Sequence, residues 1–424
     1  MVGQHKVPNT LRSNAYPLER PKVISASNLD LPTYQASVLR IYPKPPTGDF
    51  AAFEAGLPSL LSHFFPLAGR IVKNPSSGLP EVHCRNQGAE LVVGDAGGVA
   101  LSSLDFRLAE ASLKRILVPY DDDVALSVQL VSFARGGFSV AWSNNNLVLD
   151  GCSARWSELA RSGTVSGLPI SFDRSALRPR DPPSYGAAVA EMFTPFDGRH
   201  LVNVLTARES FVERLYYVEA LREMPGPRRV RALAAAVVAA SYSKRAGGEA
   251  SCRMGWYVDA RWRVASPELR AALRDYVGNV TPYVVTEAAA EAILRKPLAE
   301  VAAMVREAIT SVDYDERLVD WVEEHKPQVD VVEAATVGLG SPTVSQRVWA
   351  SFPLDTDFGF GHAALAMPVW ESEGLCSGNV VVTAQPGGNG SWLVSADLWP
   401  RLVAALEADE MQIFKPLTAE FLGL

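Results

Sequence analysis

The sequence predicts an α/β protein with two domains, on three observations. Hydrophobic periods typical of helices and of strands alternate along the chain, which favours a layered α/β protein over a helix bundle or a sandwich. The 424 residues exceed the length of one ordinary hydrophobic core, so two domains with a cleft between them are expected. Apolar residues make up 48% and charged residues 21% of the chain, as in soluble globular proteins.

The elements of the N-terminal half follow in order. A β-like run at 37–45 ends in a Pro-rich turn, and an amphipathic helix over 50–65 stops at Pro66. Two short strands then flank Asn86-Gln87-Gly88, a pattern that predicts a hairpin. The apolar strand 138–142 runs into three consecutive asparagines. This polar triplet is therefore expected at the end of a strand, a common place for chemistry.

A crossover separates the two halves. Residues 172–188 are rich in Arg, Pro and Ser and show no sustained periodicity. We therefore predict an N-terminal domain over 1–171, a linker over 172–200 and a C-terminal domain over 201–424. In the C-terminal half the pattern predicts a strand at 210–220 and helices at 230–243 and 297–312. A final strand followed by a helix is predicted over 388–409.

Charge and cysteine usage restrict the function. A net charge of −7 argues against nucleic acid as the main partner, because neutralising phosphates needs clustered Lys and Arg. The sequence shows neither a secretory signal nor an apolar run of bilayer length, so a cytoplasmic protein without membrane contact is expected. The four cysteines are scattered without a Cys-x-x-Cys pair, which predicts reduced thiols and no metal site.

Five short motifs occur in order across both halves. They are FFPLAGR (64–70), NNLVLDG (145–151), YVDARWRV (257–264), YVGNV (276–280) and DFGFG (357–361). Each alone is weak evidence. In NNLVLDG, for example, a polar residue followed by Asp-Gly usually marks only a turn. Together they resemble the BAHD family of plant acyl-CoA-dependent acyltransferases, and the resemblance covers nearly the whole chain. The last motif departs from the family's Asp-Phe-Gly-Trp-Gly, because Phe360 replaces the Trp.

The resemblance implies a fold and an activity. It implies two domains of the chloramphenicol-acetyltransferase type with a channel along their interface and the active site midway. It also implies a monomer with acyl-CoA as co-substrate, no permanent cofactor, and a small alcohol or amine as acceptor. Similarity to grass members suggests an aromatic or hydroxycinnamoyl donor, which is an analogy and identifies no substrate.

The residue that replaces the family's base is Asn146. Family members use His-x-x-x-Asp-Gly, in which the His removes a proton from the acceptor as it attacks the thioester carbonyl. In this chain Asn146 stands four residues before Asp150. A carboxamide is essentially nonbasic and cannot carry the proton away. If nothing replaces the His, the rate is expected to fall roughly 10²- to 10⁴-fold.

Four interpretations of Asn146 are open at this stage. In the first, Asn146 is an introduced substitution. In the second it is natural, and either the acceptor needs little help from a base, as an amine does, or water or another side chain acts as the base. The chain is otherwise a catalytically inactive relative that binds ligands or partners, or an enzyme recruited to CoA-independent chemistry. His362 directly follows DFGFG, but in the family that loop lies away from the point of attack.

The remaining site residues are carried over from the family motifs. Asp150 is expected to pair with Arg261 and to fix the motif loop, with Gly151 allowing the close turn beside it. The loop at Asp357, Gly359, Phe360 and Gly361 is expected to be architectural, with the Phe360 ring against the channel.

Substrate contacts are predicted less directly. SVLRIY resembles an early strand that sends alternate side chains toward the acceptor in hydroxycinnamoyl-transferring members, which nominates Ser37 and Leu39. Ser243 and Lys244, at the end of the helix predicted over 230–243, are candidate CoA contacts.

Overall fold

The structure is a computed structural model that describes part of the chain. The described residues are 9–11, 22–30, 35–45, 50–148, 170–177, 182, 184–187, 193–195, 211–219, 251–318, 331–333, 343–349, 352, 354–355, 358, 360–369, 378–408 and 412–424. The strands are β1 (Asn9–Leu11), β2 (Lys22–Ser25), β3 (Gln35–Tyr42), β4 (Arg70–Lys73), β5 (Pro80–Cys84), β6 (Ala89–Ala100), β7 (Leu126–Ala134), β8 (Phe138–Asn145), β9 (Phe193–Pro195), β10 (Val212–Val218), β11 (Ser251–Tyr257), β12 (Tyr283–Ala289), β13 (Val331–Glu333), β14 (Thr343–Val348), β15 (Leu365–Val369), β16 (Gly378–Ala384), β17 (Trp392–Leu398) and β18 (Lys415–Pro416). The helices are α1 (Phe50–His63), α2 (Pro267–Leu273), α3 (Ala290–Arg295), α4 (Leu298–Thr310), α5 (Tyr314–Arg317) and α6 (Pro400–Glu407).

The first large sheet carries the polar triplet. Its strand order is β1-β6-β7-β8-β3-β15. Every residue of β8 is buried, because β7 and β3 pair on its two sides and both sheet faces are covered. This explains the apolar start of the strand, and the strand predicted over 138–142 is confirmed.

The second large sheet lies in the C-terminal half, with strand order β12-β11-β14-β16-β17-β10-β18. One of its faces packs against the helices, as shown by Val394 and Val382 in a cluster with Val301 and Leu402. Helix α4 follows Pro297 and has Glu300 in its first turn, where the helix dipole favours an acidic residue. The predicted helix at 297–312 and the final strand and helix, β17 and α6, are confirmed.

The two sheets pack face to face. Leu39 and Met367 of the first sheet share a buried cluster with Leu215 and Leu393 of the second. We call this the interdomain cluster. Because side chains alternate along a strand, residues two positions from these leucines also face the opposite sheet. Polar side chains that stand two positions from these leucines therefore lie between the two sheets.

Two sequence expectations need comment. The hairpin at Asn86-Gln87-Gly88 is wrong, because β5 pairs with β2 and β4 in a small separate sheet while β6 joins the first large sheet. The turn itself exists, with positive φ at Asn86 and Gly88. The division at 171 and 200 stays a prediction, although β15 lies well beyond it and pairs with β3 of the first sheet.

The helix predicted over 230–243 lies outside the described residues. Among the described helices, none combines the length and apolar character needed to cross a bilayer.

Candidate active site

The motif loop begins where β8 ends. Asn146 follows the last residue of that strand and is 8% exposed. The Asn145 side chain accepts a hydrogen bond from the Leu147 amide at 3.0 Å, and the Asn145 carbonyl accepts one from the Val148 amide at 3.0 Å. These two bonds turn the chain sharply at Asn146. Residues 145–148 thus form a hydrogen-bonded turn at the end of a buried strand.

Asn279 connects this loop to the second half of the chain. Its Nδ2 donates to the Asn146 carbonyl and, at 2.9 Å, to Asp30 Oδ1. Asn279 is 4% exposed and belongs to the YVGNV motif. Asp30 also accepts from the backbone amide and hydroxyl of Ser27, at 2.7 and 2.8 Å. One amide group therefore links the candidate catalytic loop to two distant segments.

Arg174 provides the second connection. Its Nη2 donates to the Leu147 carbonyl at 2.5 Å and its Nε to the Tyr276 hydroxyl at 3.0 Å. Its Nη1 lies 3.0 Å from Asp30 Oδ2 and donates to the Ser25 carbonyl at 2.5 Å. We call Asp30, Arg174, Tyr276 and Asn279 the loop clamp. It joins the N-terminal segment, the predicted linker and the second half around Asn146.

The clamp is charged and buried. Side-chain exposure is 10% for Arg174 and 0% for Asp30. Burial lowers the pKa of Arg174, but attraction to Asp30 and the Tyr276 phenol outweighs it, so the net pKa lies above its ordinary value. The guanidinium is therefore permanently charged. A buried charge pair of this kind keeps its position because separation would leave an unpaired charge in the protein interior.

Arg261 lies next to the clamp. Its Nη2 donates to the Gly278 carbonyl at 2.6 Å, one residue before Asn279, and its Nη1 lies 3.2 Å from Asp259 Oδ1. Its predicted partner Asp150, with the neighbouring Gly151, lies outside the described residues. The pairing of Arg261 with Asp150 stays a prediction. Arg261 thus binds the carbonyl of the residue before Asn279, and Asn279 in turn donates to the Asn146 carbonyl.

Ser37 and Leu39 occupy different environments on one strand. Ser37 and Ser143 lie opposite each other on β3 and β8, with their hydroxyl oxygens 2.6 Å apart. Ser127 lies opposite Ser143 on β7, so three serines form a row across the sheet. This serine row faces the second sheet, since Leu39, two residues from Ser37, belongs to the interdomain cluster. Leu39 itself is fully buried there.

The DFGFG segment packs on the first sheet. The Phe360 ring meets Phe138 and Tyr42 edge-on, with centroids 5.2 and 5.9 Å apart, an arrangement favoured for aromatic pairs. Gly361 has φ 80°, in the left-handed region where glycine is favoured. Asp357 and Gly359 lie outside the described residues. An apolar ring at position 360 is thus accommodated by an aromatic cluster.

His362 does not share the position of Asn146. Its side chain is 71% exposed and its Nδ1 lies 2.8 Å from Asp355 Oδ2. The same Asp355 oxygen accepts from the Gly387 amide at 2.8 Å, which attaches the segment to the turn between β16 and β17. This histidine therefore belongs to a surface contact.

Ser243 and Lys244 lie outside the described residues, so their role toward CoA stays a prediction. In the part of the chain that the structure describes, no group of three or more His, Cys, Asp or Glu could hold a metal ion.

Sequence reasoning missed most of the loop clamp. Asn279 stands in a motif that was recognised, but its contact with Asn146 spans 133 residues. Arg174 was included only as part of an irregular linker, and Asp30 carries no local signal. Contacts made across such separations leave no spacing pattern in one sequence.

Comparison with known proteins identifies the family of the chain. The model of the Transferase family matches residues 27–415. The chain belongs to this family, the BAHD acyltransferases. Its members are acyl-CoA-dependent O- or N-acyltransferases, and the family predicted from the five motifs is confirmed.

Two curated relatives match most of this BAHD chain. Hydroxycinnamoyltransferase 1 of Oryza sativa subsp. japonica is 26% identical, over 95% of this chain and 96% of the relative. Putrescine hydroxycinnamoyltransferase 1 of the same organism is 28% identical, over 80% of this chain and 83% of the relative.

A solved structure confirms the predicted α/β fold class. TRI101 of F. graminearum, in complex with coenzyme A and deoxynivalenol, superposes with a TM-score of 0.74. The likeness covers 93% of this chain and 99% of that chain at 15% identity, and it shows the fold alone.

Proposed function

We propose that this protein transfers an aromatic acyl group, of the hydroxycinnamoyl type, from acyl-CoA to a small alcohol or amine. The observation that carries the proposal is the position of Asn146, buried at the end of β8 in a loop held by Arg174 and Asn279. Relatives named for hydroxycinnamoyl transfer to unspecified acceptors and to putrescine support the donor class and leave the acceptor as alcohol or amine.

The reaction follows from the groups available. The acceptor's nucleophilic atom attacks the thioester carbonyl, which gives a tetrahedral oxyanion that collapses with loss of the CoA thiolate. In the family, a His at the place of Asn146 takes the acceptor's proton. The Asn146 carboxamide can orient the acceptor by hydrogen bonding, but the proton must leave by another route. A neutral amine attacks through its own lone pair, so it depends less on a base than a hydroxyl does.

Substitution of Asn146 by His tests this proposal. The Asn146→His variant should accelerate acyl transfer roughly 10²- to 10⁴-fold, because it restores a general base at the loop. The assay is product detection by mass spectrometry with hydroxycinnamoyl- and benzoyl-CoA against panels of alcohols and amines. The increase should be larger for alcohols than for amines.

A control separates base chemistry from the general effect of a new imidazole. Asn389→His makes the same change in the exposed turn between β16 and β17 and should leave the rate unchanged. If Asn146→His shows no transfer across both panels, the chain is a binding protein instead, as Asn146 itself would permit. Turnover without any acyl-CoA would identify recruited chemistry.

A further inference from the structure

The serine row continues onto a fourth strand, where it ends at a carboxylate. Glu90 on β6 lies opposite Ser127 on β7, which lies opposite Ser143 on β8. The row then reaches Ser37 on β3, whose hydroxyl oxygen is 2.6 Å from that of Ser143. Three hydroxyl groups and one carboxylate therefore lie in line across four adjacent strands.

Glu90 shares the face of the sheet on which the serine row lies. The residues before and after Glu90 and Ser127 belong to the hydrophobic cluster of the opposite face, namely Ala89, Leu91, Leu126 and Val128. Because side chains alternate along a strand, Glu90 and Ser127 are both turned toward the second sheet, as Ser37 is.

Glu90 and Ser127 have unused hydrogen-bonding capacity at neighbouring positions. Among the described residues, Glu90 Oε2 and Ser127 Oγ are buried and make no hydrogen bond, and Ser127 is 0% exposed. Buried polar atoms without a partner are uncommon and costly. A serine hydroxyl can donate, whereas a carboxylate only accepts. The two groups are therefore complementary across one strand spacing.

The segment that leads into β7 covers this end of the row. Its Val118 amide donates to Gln129 Oε1 of β7 at 2.8 Å. Tyr120 of the same segment has a buried hydroxyl that makes no hydrogen bond among the described residues. Burial, and then the charges of Asp122 and Glu90, raise the pKa of Tyr120. The phenol thus keeps its proton, and the carboxylate of Glu90 is the proton acceptor at this end.

We propose that Glu90 receives the acceptor's proton through the serine row. This rests on the proposed function, in which Asn146 orients the acceptor but cannot take its proton. The open end of the row is Ser37, which is partly exposed. Ser143 stands three residues before Asn146, about 10 Å along the strand. An acceptor oriented by Asn146 therefore reaches the row directly or through one water.

The proton follows the row while the acyl group moves from sulfur to oxygen. As the acceptor oxygen bonds to the thioester carbonyl carbon, its proton passes to Ser37 Oγ, and each serine passes its own hydroxyl proton to the next. Rotation of the Ser127 hydroxyl, or a water beside it, closes the gaps to Ser143 and Glu90, because neighbouring strands are about 5 Å apart. Glu90 becomes the neutral acid, the carbon–sulfur bond breaks, and CoA leaves as the thiolate. Glu90 then returns its proton to solvent, from which the thiolate is protonated.

Two substitutions interrupt the relay, and Asn146→His bypasses it. With an alcohol acceptor, Glu90→Gln and Ser127→Ala should each lower kcat about 10-fold, less than the roughly 10²- to 10⁴-fold contribution of a base in direct contact. The KM values should change little. In the Asn146→His background the imidazole takes the proton directly, so the same two substitutions should change kcat by less than about 2-fold. A variant with a damaged fold would lose activity in both backgrounds.

Asp95→Asn and Ser139→Ala are the matched controls. Asp95 is an exposed carboxylate on the same strand as Glu90. Ser139 is 1% exposed and lies on the same strand as Ser143, outside the row. Both variants should transfer the acyl group like the wild type.

The outcomes for the relay and for the enzyme are distinguishable. The relay is overturned if Glu90→Gln turns over like the wild type, or if its loss is equal in both backgrounds. It is also overturned if the wild type shows no transfer while Asn146→His does. In each of these cases, transfer by Asn146→His keeps the proposed function. No transfer by the wild type or by Asn146→His would remove the proposed function, and the relay with it.

Discussion

Replacing Arg174 by Met should destabilise the fold strongly, because it removes the charged member of the loop clamp. The substitution leaves Asp30, which is 0% exposed, without its cation. It also leaves the carbonyls of Leu147 and Ser25 without the donors that reach them at 2.5 Å. Breaking a buried ion pair from one side costs about 3–5 kcal/mol. Asp30 keeps its bonds from Ser27 and Asn279, which places the expected loss near the lower end of that range.

Urea unfolding followed by tryptophan fluorescence measures the loss. Trp142 is a suitable probe, because it is buried on β8, four residues before Asn146. Arg107→Met is the matched control, since it breaks an ion pair in which Arg107 is 62% exposed, and such surface pairs contribute about 0–1 kcal/mol. The two variants make the same chemical change at opposite extremes of burial.

A double-mutant cycle isolates the pair itself. Arg174→Met combined with Asp30→Asn should be less destabilised than the sum of the single variants, by roughly 1–3 kcal/mol. The reasoning is refuted if Arg174→Met loses no more stability than Arg107→Met, or if the two single losses simply add.

Two further predictions concern other buried groups. Arg40 is fully buried; its Nε donates to the Leu354 carbonyl at 2.8 Å and its guanidinium lies 4.8 Å from the Phe358 ring centre. Its two Nη atoms have no hydrogen-bond partner among the described residues, and burial lowers the pKa of Arg40 to about 10. Arg40→Met should therefore change the free energy of unfolding in urea by less than about 1 kcal/mol. A loss like that of Arg174→Met would contradict this. Burial raises the pKa of Cys84 to about 11, so the thiol should resist iodoacetamide at pH 8 in the native protein and react on unfolding, as read by mass spectrometry. Between about pH 9 and 11 the unfolded chain loses the Cys84 proton before the folded chain does, so the free energy of unfolding falls as the pH rises. Alkylation of the native protein at pH 8 would show that Cys84 is not buried.

Local patterning predicted the elements better than their partners. The strand ending at the polar triplet and the helix after Pro297 were predictable, because periodicity and capping residues are local. The partners of β5 and β6 were not, since a turn between two strands fits both a hairpin and two separate sheets. Likewise β15 lies in the C-terminal half of the sequence, yet it pairs with β3, more than 300 residues away.

The same distinction applies to the candidate site. Asn146 was found because a motif has a fixed spacing, and Arg261 because another motif follows in order. The loop clamp depends on contacts between Asp30, Arg174 and Asn279, which lie more than 100 residues apart from one another in the sequence. The contact between the serines of β3 and β8 was equally hidden, because strand register and not sequence spacing makes Ser37 and Ser143 neighbours.

The loop clamp bears on the meaning of Asn146. Burying Arg174 and Asp30 removes two charges from water, a cost that hydrophobic residues of similar size would avoid. By contrast, the exposed turn at Gly387 contacts Asp355 through a backbone amide and contains no buried ion pair among the described residues. A loop held this firmly, without a base at its tip, is suited to hold a small group in a fixed orientation between the sheets. Under the proposed function, an acceptor that brings its own lone pair requires orientation more than proton removal, so the gain from Asn146→His should be larger for alcohols than for amines.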